Sequence, residues 1–418
     1  MLDFHYSRVS GDIEFMKLLL VAGARPNFMK IASIVAALDA YNLAARNRID
    51  YVLIHTGQHY DEKMSQTFFR ELKLPRPTVD LEVGSGSHAG QTAEIMKRFE
   101  PVLLKEQPDA VVVVGDVNST VACALVASKI VYPPDTERPE RTRPLIVHVE
   151  AGLRSRDWSM PEEINRVLTD ALSDVLFVTE QDAVPNLRSE GIPRNRIHLV
   201  GNTMVDTLLR HRERAERSSI LQRLGMETSD ADGTSIMPYG VVTLHRPSNV
   251  DDPAIFRDIL DALLTISGKV PLVFPIHPRT FARINEFGLA GQCHMLAAYE
   301  QLADTTTGLY CIEPLGYLDF LRLLSNARIV LTDSGGIQEE TTMLRVPCVT
   351  LRNNTERPVT VTQGTNVLAG TSKKSIVRHA LKQLKRRAHR TRPRFWDGKA
   401  GQRIVTILSK SILSARKP

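Results

Sequence analysis

The sequence predicts an α/β fold, with two doubly wound Rossmann-like domains facing each other across a cleft. Three observations carry this expectation. Short apolar, β-branched runs alternate with helix-like segments along most of the chain, as parallel strands do when crossover helices bury both faces of their sheet. The alternation breaks once, over about residues 206–236, and then restarts, so the chain divides into two halves of similar size. Nearly every apolar run also ends in a polar residue able to bind or react, and open parallel sheets hold their ligands at the carboxyl ends of the strands.

The first half opens with "KLLLVAG" (17–23), followed by Phe28, Ile31, Ile34, Val35 and Leu38 at helical spacing. "YVLIHTG" (51–57) is the next strand, and "AEIMKRFEPVLLKEQ" predicts an amphipathic helix with Ile95, Phe99 and Val102 on one face. "AVVVVGD" (110–116), "LIVHVEAG" (145–152), "DVLFVTE" (174–180) and "IHLVGN" (197–202) complete this half, and residues 133–144 read as a surface insertion. The second half repeats the pattern with "YGVVTLHR" (239–246), "VPLVFPIHP" (270–278), "GLYCIEPL" (308–315), "ARIVLTDSGG" (327–336) and "VPCVTLR" (346–352). The expected division is a loose N-terminal extension (1–15), an N-terminal domain (16–206), a C-terminal domain (207–385) and a basic, partly helical tail (386–418).

Composition excludes several classes. The 418 residues are 43% hydrophobic and 24% charged, with a net charge of +6, which suits a soluble globular protein with sizeable cores. Much of the positive excess lies in "KKSIVRHALKQLKRRAHRTRPRFW", whose regular Ile, Val and Leu spacing reads as a helix with a solvated face, so no nucleic-acid partner is expected. No run approaches the roughly 18 apolar residues of a membrane span, so no membrane insertion is expected. "MKLLLVAGA" has too short an apolar run for a signal peptide and follows fifteen partly acidic residues. Cys123, Cys293, Cys311 and Cys348 are scattered, with no CxxC pair and no His cluster at zinc spacing. That pattern fits reduced thiols in a cytoplasmic protein without a structural metal.

The polar strand ends are Ala24-Arg25, Gln58-His59, Asp116, Glu150, His245-Arg246, His277 and "DSGGIQEE" (333–340). Gly23, Arg25 and Lys30 surround the first strand-to-helix turn, where bare backbone, a helix N-terminus and two cations suit a phosphate. Neither GxGxxG nor GxxxxGK[ST] is present, so nicotinamide and Walker-type sites are unsupported. Ser334, Gly335 and Gly336 leave backbone N–H groups unshielded at a helix start suited to a diphosphate, and a glutamate further along can turn toward ribose hydroxyls. As local structure, the same stretch is a helix start capped by Asp333 or Ser334. Arg357, after the next strand, adds a cation to this half.

The acid/base candidates are Asp116, Glu150, Glu162 and His245. Asp116 and Glu150 end successive strands, and clustered carboxyl groups raise one another's pKa toward neutrality. Glu162 follows Ser159 and Pro161 at a helix start, where a first-turn capping charge is an equal reading. His245 is open to three roles: catalytic base, phosphate ligand or buried hydrogen-bonded residue.

"GARPNFMK", "TGQHYD", "GDVNST", "HVEAGLRS", "MPEEINR", "GNTMVD", "TLHRPSN", "TDSGGIQEE" and "TERP", in this order over about residues 16–385, resemble the non-hydrolysing UDP-N-acetylglucosamine 2-epimerases. The resemblance implies the two-domain GT-B arrangement, a homodimer, and interconversion of UDP-GlcNAc and UDP-ManNAc without metal or cofactor. It implies acid/base roles for Asp116, Glu150 and Glu162, and places His245 beside the departing phosphate. Arg25, Lys30, Ser334, Gly335, Glu340 and Arg357 match UDP-contacting positions. Gln58, His59, Arg166, His277, Phe320 and Gly336 complete the expected substrate-binding set. Asn27 departs from the family pattern, standing where Glu is common. A relative acting on UDP-2,3-diacetamido-2,3-dideoxyglucuronate, a GT-B glycosyltransferase and an inactive UDP-sugar sensor are the competing readings.

Overall fold

A computed structural model of the chain describes residues 16–45, 47–58, 62–134, 142–230, 233–296, 300–302, 307–385 and 391–414. The expected N-terminal extension, His59 and most of the expected insertion lie outside the described residues. In the first half the strands are β1 (Met16–Ala22), β2 (Ile49–His55), β3 (Val79–Asp80), β4 (Ala110–Val114), β5 (Leu145–Val149), β6 (Val175–Val178) and β7 (Ile197–Leu199). They form one parallel sheet in the order β3-β2-β1-β4-β5-β6-β7. A short antiparallel hairpin, β8 (Glu227–Asp230) and β9 (Gly233–Ile236), separates the halves.

The second half comprises β10 (Gly240–Thr243), β11 (Leu272–Pro275), β12 (His294–Met295), β13 (Leu309–Ile312), β14 (Ile329–Thr332), β15 (Cys348–Thr350) and β16 (Asn366–Leu368). Its sheet, ordered β12-β13-β11-β10-β14-β15-β16, is also parallel. Both sheets are doubly wound about their first strand, so the fold is α/β with two Rossmann-like domains of the GT-B type. Central strands such as β4 and β14 are buried at every residue, because helices cover both faces. The winding reverses between β1 and β4 in one sheet and between β10 and β14 in the other, and the ends of those four strands face the cleft.

The helix His88–Glu106 buries Ile95, Phe99 and Leu103, where the sequence reading had Val102 in the third place. It carries Pro101 in its interior and continues through it. The chain end is less solvent-facing than its charge suggests. Trp396 is fully buried and donates from Nε1 to the Thr179 carbonyl at 3.1 Å. The helix Ala400–Ser414 then packs against the helix Arg25–Ala44 of the first half, burying Ile404, Val405 and Leu408 in its core. Asp206 fixes the start of that last helix by accepting from the Ala400 and Gly401 amides at 3.1 and 2.8 Å. The halves also touch through Glu71, whose carboxylate accepts from the Tyr317 and Leu318 amides at the start of the helix Tyr317–Ser325.

Candidate active site

The ends of β4 and β5 place two carboxyl groups at the cleft. Asp116 follows Gly115, whose φ of +69° only glycine adopts freely, and a Cβ there would lie 2.6 Å from Lys30 Nζ. Arg166, from the helix Pro161–Leu172, donates to the Asp116 carboxylate. Burial alone would raise the pKa of Asp116, but Arg166, Lys30 and Arg357 together hold it below the usual range. Glu150, which directly follows β5, takes a left-handed backbone with φ +75°, an uncommon conformation for a residue with a side chain. One of its oxygens, Oε1, accepts from Lys30 at 2.7 Å and from Arg357 of the other domain at 3.0 Å. The other, Oε2, is buried with no hydrogen-bond partner among the described residues.

Of the adjacent glutamates in "MPEEINR", Glu163 is committed locally. It accepts from the Ser155 and Arg156 amides at 3.0 and 2.8 Å and pairs with Arg166 at 2.7 Å. Glu162, half-buried at the same helix start, forms no ion pair among the described residues. Glu163 thus ties down the preceding loop, while both glutamates lie in the first turn, where their charge complements the helix N-terminus.

Asn27 also takes a defined role. Its Oδ1 accepts from the Gly23 and Ala24 amides at 3.1 and 2.9 Å, while its amide donates to the Val114 carbonyl at 2.9 Å. It thereby ties the β1 loop to the end of β4. An ionised glutamate has no N–H to make the last of these bonds. Gln58 turns inward and accepts from the Ser119 hydroxyl at 2.8 Å. Arg25 begins the first helix, and its side chain is outside the description.

In the second half, Asp333 is fully buried and spans the reversal between β14 and β10. It accepts from the His245 and Arg246 amides and contacts His245 Nδ1 at 3.1 Å. Burial opposes the charge on Asp333, but His245 and these amides hold its pKa below the usual range. The His245 side chain remains 43% exposed, and its ring lies 5.9 Å from that of His277. His277 caps the helix Pro278–Glu286 through Nδ1. Ser334 precedes the helix Gly335–Leu344 and makes no side-chain cap bond, so Asp333 and Ser334 leave that helix start open. A Cβ on Gly335 would come 2.5 Å from Arg357, which makes glycine a requirement of the close approach. Gly336 is less confined, and Phe320 packs at the edge of a core cluster.

Arg357 is the junction of the cleft. Besides Glu150, it donates to Glu339 at 2.6 Å and Glu356 at 2.7 Å. Glu356 also pairs with Arg352 at 2.9 Å and Arg246 at 3.4 Å. Burial would raise Glu356, yet Arg357, Arg352, Arg246 and Arg166 hold it far below the usual carboxylate range. Three buried carboxyl groups go the other way. Burial, with Glu339 adding its charge, pushes Glu180 and Glu340 each up to about 8, and Glu339 itself is raised by burial. Glu340 Oε1 and the Tyr317 hydroxyl are both buried without a partner among the described residues.

The sequence reading did not name Glu163, Glu180, Glu339, Arg352 or Glu356 as site residues, and named Arg246 only as a strand end. Glu180 was detectable, because it ends β6 as Asp116 and Glu150 end the two strands before it. The others are defined by contacts across the cleft, which spacing does not encode.

Two Rossmann-like sheets whose reversal points converge on a charged cleft define a GT-B-type protein with its ligand site between the halves. The family model for UDP-N-acetylglucosamine 2-epimerase matches residues 41–409, and the chain belongs to that family. The UDP-N-acetylglucosamine 2-epimerase of Methanocaldococcus jannaschii is 42% identical over 396 residues, covering 94% of this chain and 99% of the relative. The UDP-2,3-diacetamido-2,3-dideoxy-D-glucuronate 2-epimerase of Pseudomonas aeruginosa is 38% identical over 398 residues, covering 94% of this chain and 100% of the relative. The crystal structure of the M. jannaschii UDP-GlcNAc 2-epimerase in complex with UDP-GlcNAc and UDP aligns with a TM-score of 0.80 at 42% identity, over 94% of this chain and all of that one. The Neisseria meningitidis enzyme bound to UDP-GlcNAc aligns with a TM-score of 0.77 at 28% identity, over 94% of this chain and 100% of that one. The protein is accordingly an isomerase acting on carbohydrates. Among the described residues no helix is long and apolar enough to cross a membrane.

Proposed function

We propose that this protein interconverts UDP-GlcNAc and UDP-ManNAc by eliminating UDP and adding it back. The C2 hydrogen is not adjacent to a carbonyl, so it becomes acidic only as C1 gains oxocarbenium character. A base removes the C2 proton while the C1–O bond to UDP breaks, giving 2-acetamidoglucal and UDP. Addition of UDP to C1, with a proton delivered to the opposite face of C2, inverts that centre.

The observation that carries this reading is the junction at Glu150, where Lys30 of one domain and Arg357 of the other meet one carboxylate beside the Asp116–Arg166 pair. Such a cluster supplies what elimination needs, namely carboxyl groups for proton transfer and cations for a departing diphosphate. Asp116, Glu150 and Glu162 serve as the acid/base set, and His245 attends the leaving phosphate. Arg25, Lys30, Arg357 and the open helix start at Ser334, Gly335 and Gly336 receive the diphosphate. Glu340 and Tyr317, with buried unpartnered oxygens, suit ribose hydroxyls.

Incubation with UDP-GlcNAc in D2O followed by NMR tests the proposal. The expected result is the manno isomer with deuterium at C2; a folded protein that leaves C2 unlabelled contradicts it. We further place the protein in the cytoplasm, on its unpaired, buried cysteines. A homodimer follows from the family resemblance, and the exposed Ile164 and Leu168 of the helix Pro161–Leu172, with Trp158 in the loop before it, give an apolar surface for it. Light scattering after gel filtration measures that state, and a monomer at micromolar concentration contradicts it.

A further inference from the structure

We propose that the buried pair His148–Asp170 is a positioning device that fixes the Asp116 loop relative to the Glu150 loop. The inference rests on the epimerase reading, in which both carboxyl groups act on one carbon. His148, on β5, and Asp170, in the helix Pro161–Leu172, are both fully buried. His148 Nε2 lies 2.8 Å from the Gly115 carbonyl, and a carbonyl only accepts, so the ring donates there. His148 Nδ1 lies 2.6 Å from Asp170 Oδ1. The second Asp170 oxygen accepts from the Gly152 amide at 3.0 Å and from Arg154 at 2.7 Å.

Gly115 immediately precedes Asp116, and Gly152 lies two residues beyond Glu150. One imidazole–carboxylate unit therefore holds the backbone of both loops. The Glu150 backbone, at φ +75°, is a conformation that its surroundings must impose, and it lies between the left-handed glycines Gly115 (φ +69°) and Gly152 (φ +80°) that this unit holds. Removing the donor at Nε2 strands a buried carbonyl, and the Asp116 loop relaxes away from its position. Neither His148 nor Asp170 approaches the proposed reaction directly, so their contribution is to geometry.

The test compares His148→Asn, which keeps a donor near the Nδ1 position, with His148→Gln, which keeps one near Nε2, and with Asp170→Asn. Turnover, KM for UDP-GlcNAc, UDP affinity by calorimetry and thermal midpoint are measured on each. Displacement of a reacting group by about 1 Å costs on the order of a hundredfold, so His148→Asn is expected to lose about that in kcat with KM and UDP affinity within about threefold of wild type. His148→Gln is expected to recover most of the turnover. The proposal is overturned if His148→Asn keeps wild-type kcat, if His148→Gln is no better than His148→Asn, or if kcat and UDP affinity fall together with the midpoint. Should His148→Asn not fold, Asp170→Asn carries the same expectation of lost kcat at unchanged KM. If that variant also fails to fold, the pair is a folding element and the proposal is wrong. Absence of C2 exchange in the wild type refutes the epimerase reading instead, so the two failures are distinguishable.

Discussion

The two halves of the cleft have the same topology and each pairs some carboxyl groups with cations, but they differ in which groups stand at their strand ends. In the N-terminal half, Asp116 and Glu163 are matched by Arg166, and Glu150 by Lys30, so burial of these three is offset by nearby cations, while Glu180 is pushed up to about 8. In the C-terminal half, Glu340 is pushed up to about 8, and it and Tyr317 have buried oxygens without partners among the described residues. An ionised cluster suits proton transfer and charge stabilisation, whereas unpartnered buried oxygens suit hydroxyl groups of a ligand. We propose a division of labour on this basis, with the chemistry at the ends of β4 and β5 and most of the nucleotide contacts in the second half. Arg357 links the two sets, through Glu150 on one side and Glu339 and Glu356 on the other.

The sharpest way to break this comparison is to remove a proposed acid/base group. Asp116→Asn is expected to reduce turnover by about 10²–10⁴-fold, the usual contribution of a positioned acid or base, with UDP affinity changed only a few-fold. Steady-state kinetics and calorimetry check this together, and a parallel loss of UDP affinity would make Asp116 part of the anchor. Arg357→Met leaves Glu150, Glu339 and Glu356 short of a cation. Breaking a buried pair from one side costs about 3–5 kcal/mol, so a marked fall in thermal midpoint is expected along with weaker UDP binding. An unchanged midpoint would show that the junction does not hold the halves together.

A smaller effect is expected from Glu340→Ala, which removes a proposed ribose partner. UDP affinity should fall by about 1–3 kcal/mol, the cost of leaving a buried hydroxyl without its partner, while kcat at saturating substrate changes less. A pH effect on stability is also expected. Glu180 is pushed up to about 8, so the folded chain holds a proton that the unfolded chain releases above the ordinary glutamate range. Its burial therefore costs stability progressively as pH rises from the ordinary glutamate value to about 8. Glu180→Gln should raise the thermal midpoint at pH 8 and leave it nearly unchanged at pH 4. Equal shifts at both values would rule out titration of Glu180 as the cause.

Much of this organisation was legible from residue order. The strands within "AVVVVGD" and "ARIVLT" are buried at every residue because their sheets are covered on both faces, and the polar residues that follow them fall at the cleft. The two-residue strands β3 and β12 and the three-residue β16 were missed, being too short to show periodicity. The return of the helix Ala400–Ser414 to the first half was also hidden, because amphipathic spacing reveals an apolar face but not which core receives it. At the site, Asp116, Glu150 and His245 stood out as strand ends. The partnership of Arg357 with Glu150 joins residues 207 positions apart, and no local spacing encodes it. The contrast between Glu162 and Glu163 is likewise set by Ser155, Arg156 and Arg166 rather than by their own dipeptide.

The division of labour is tested most directly by titrating UDP into the double variant Asp116→Asn/Glu150→Gln, which removes charge from the chemical half but keeps an acceptor for Lys30 and Arg357. UDP is expected to bind within about tenfold of its wild-type affinity, roughly 1.4 kcal/mol, although turnover is abolished. Loss of UDP binding in a variant that is still folded would contradict the account, because the carboxyl groups of the first half would then belong to the anchor.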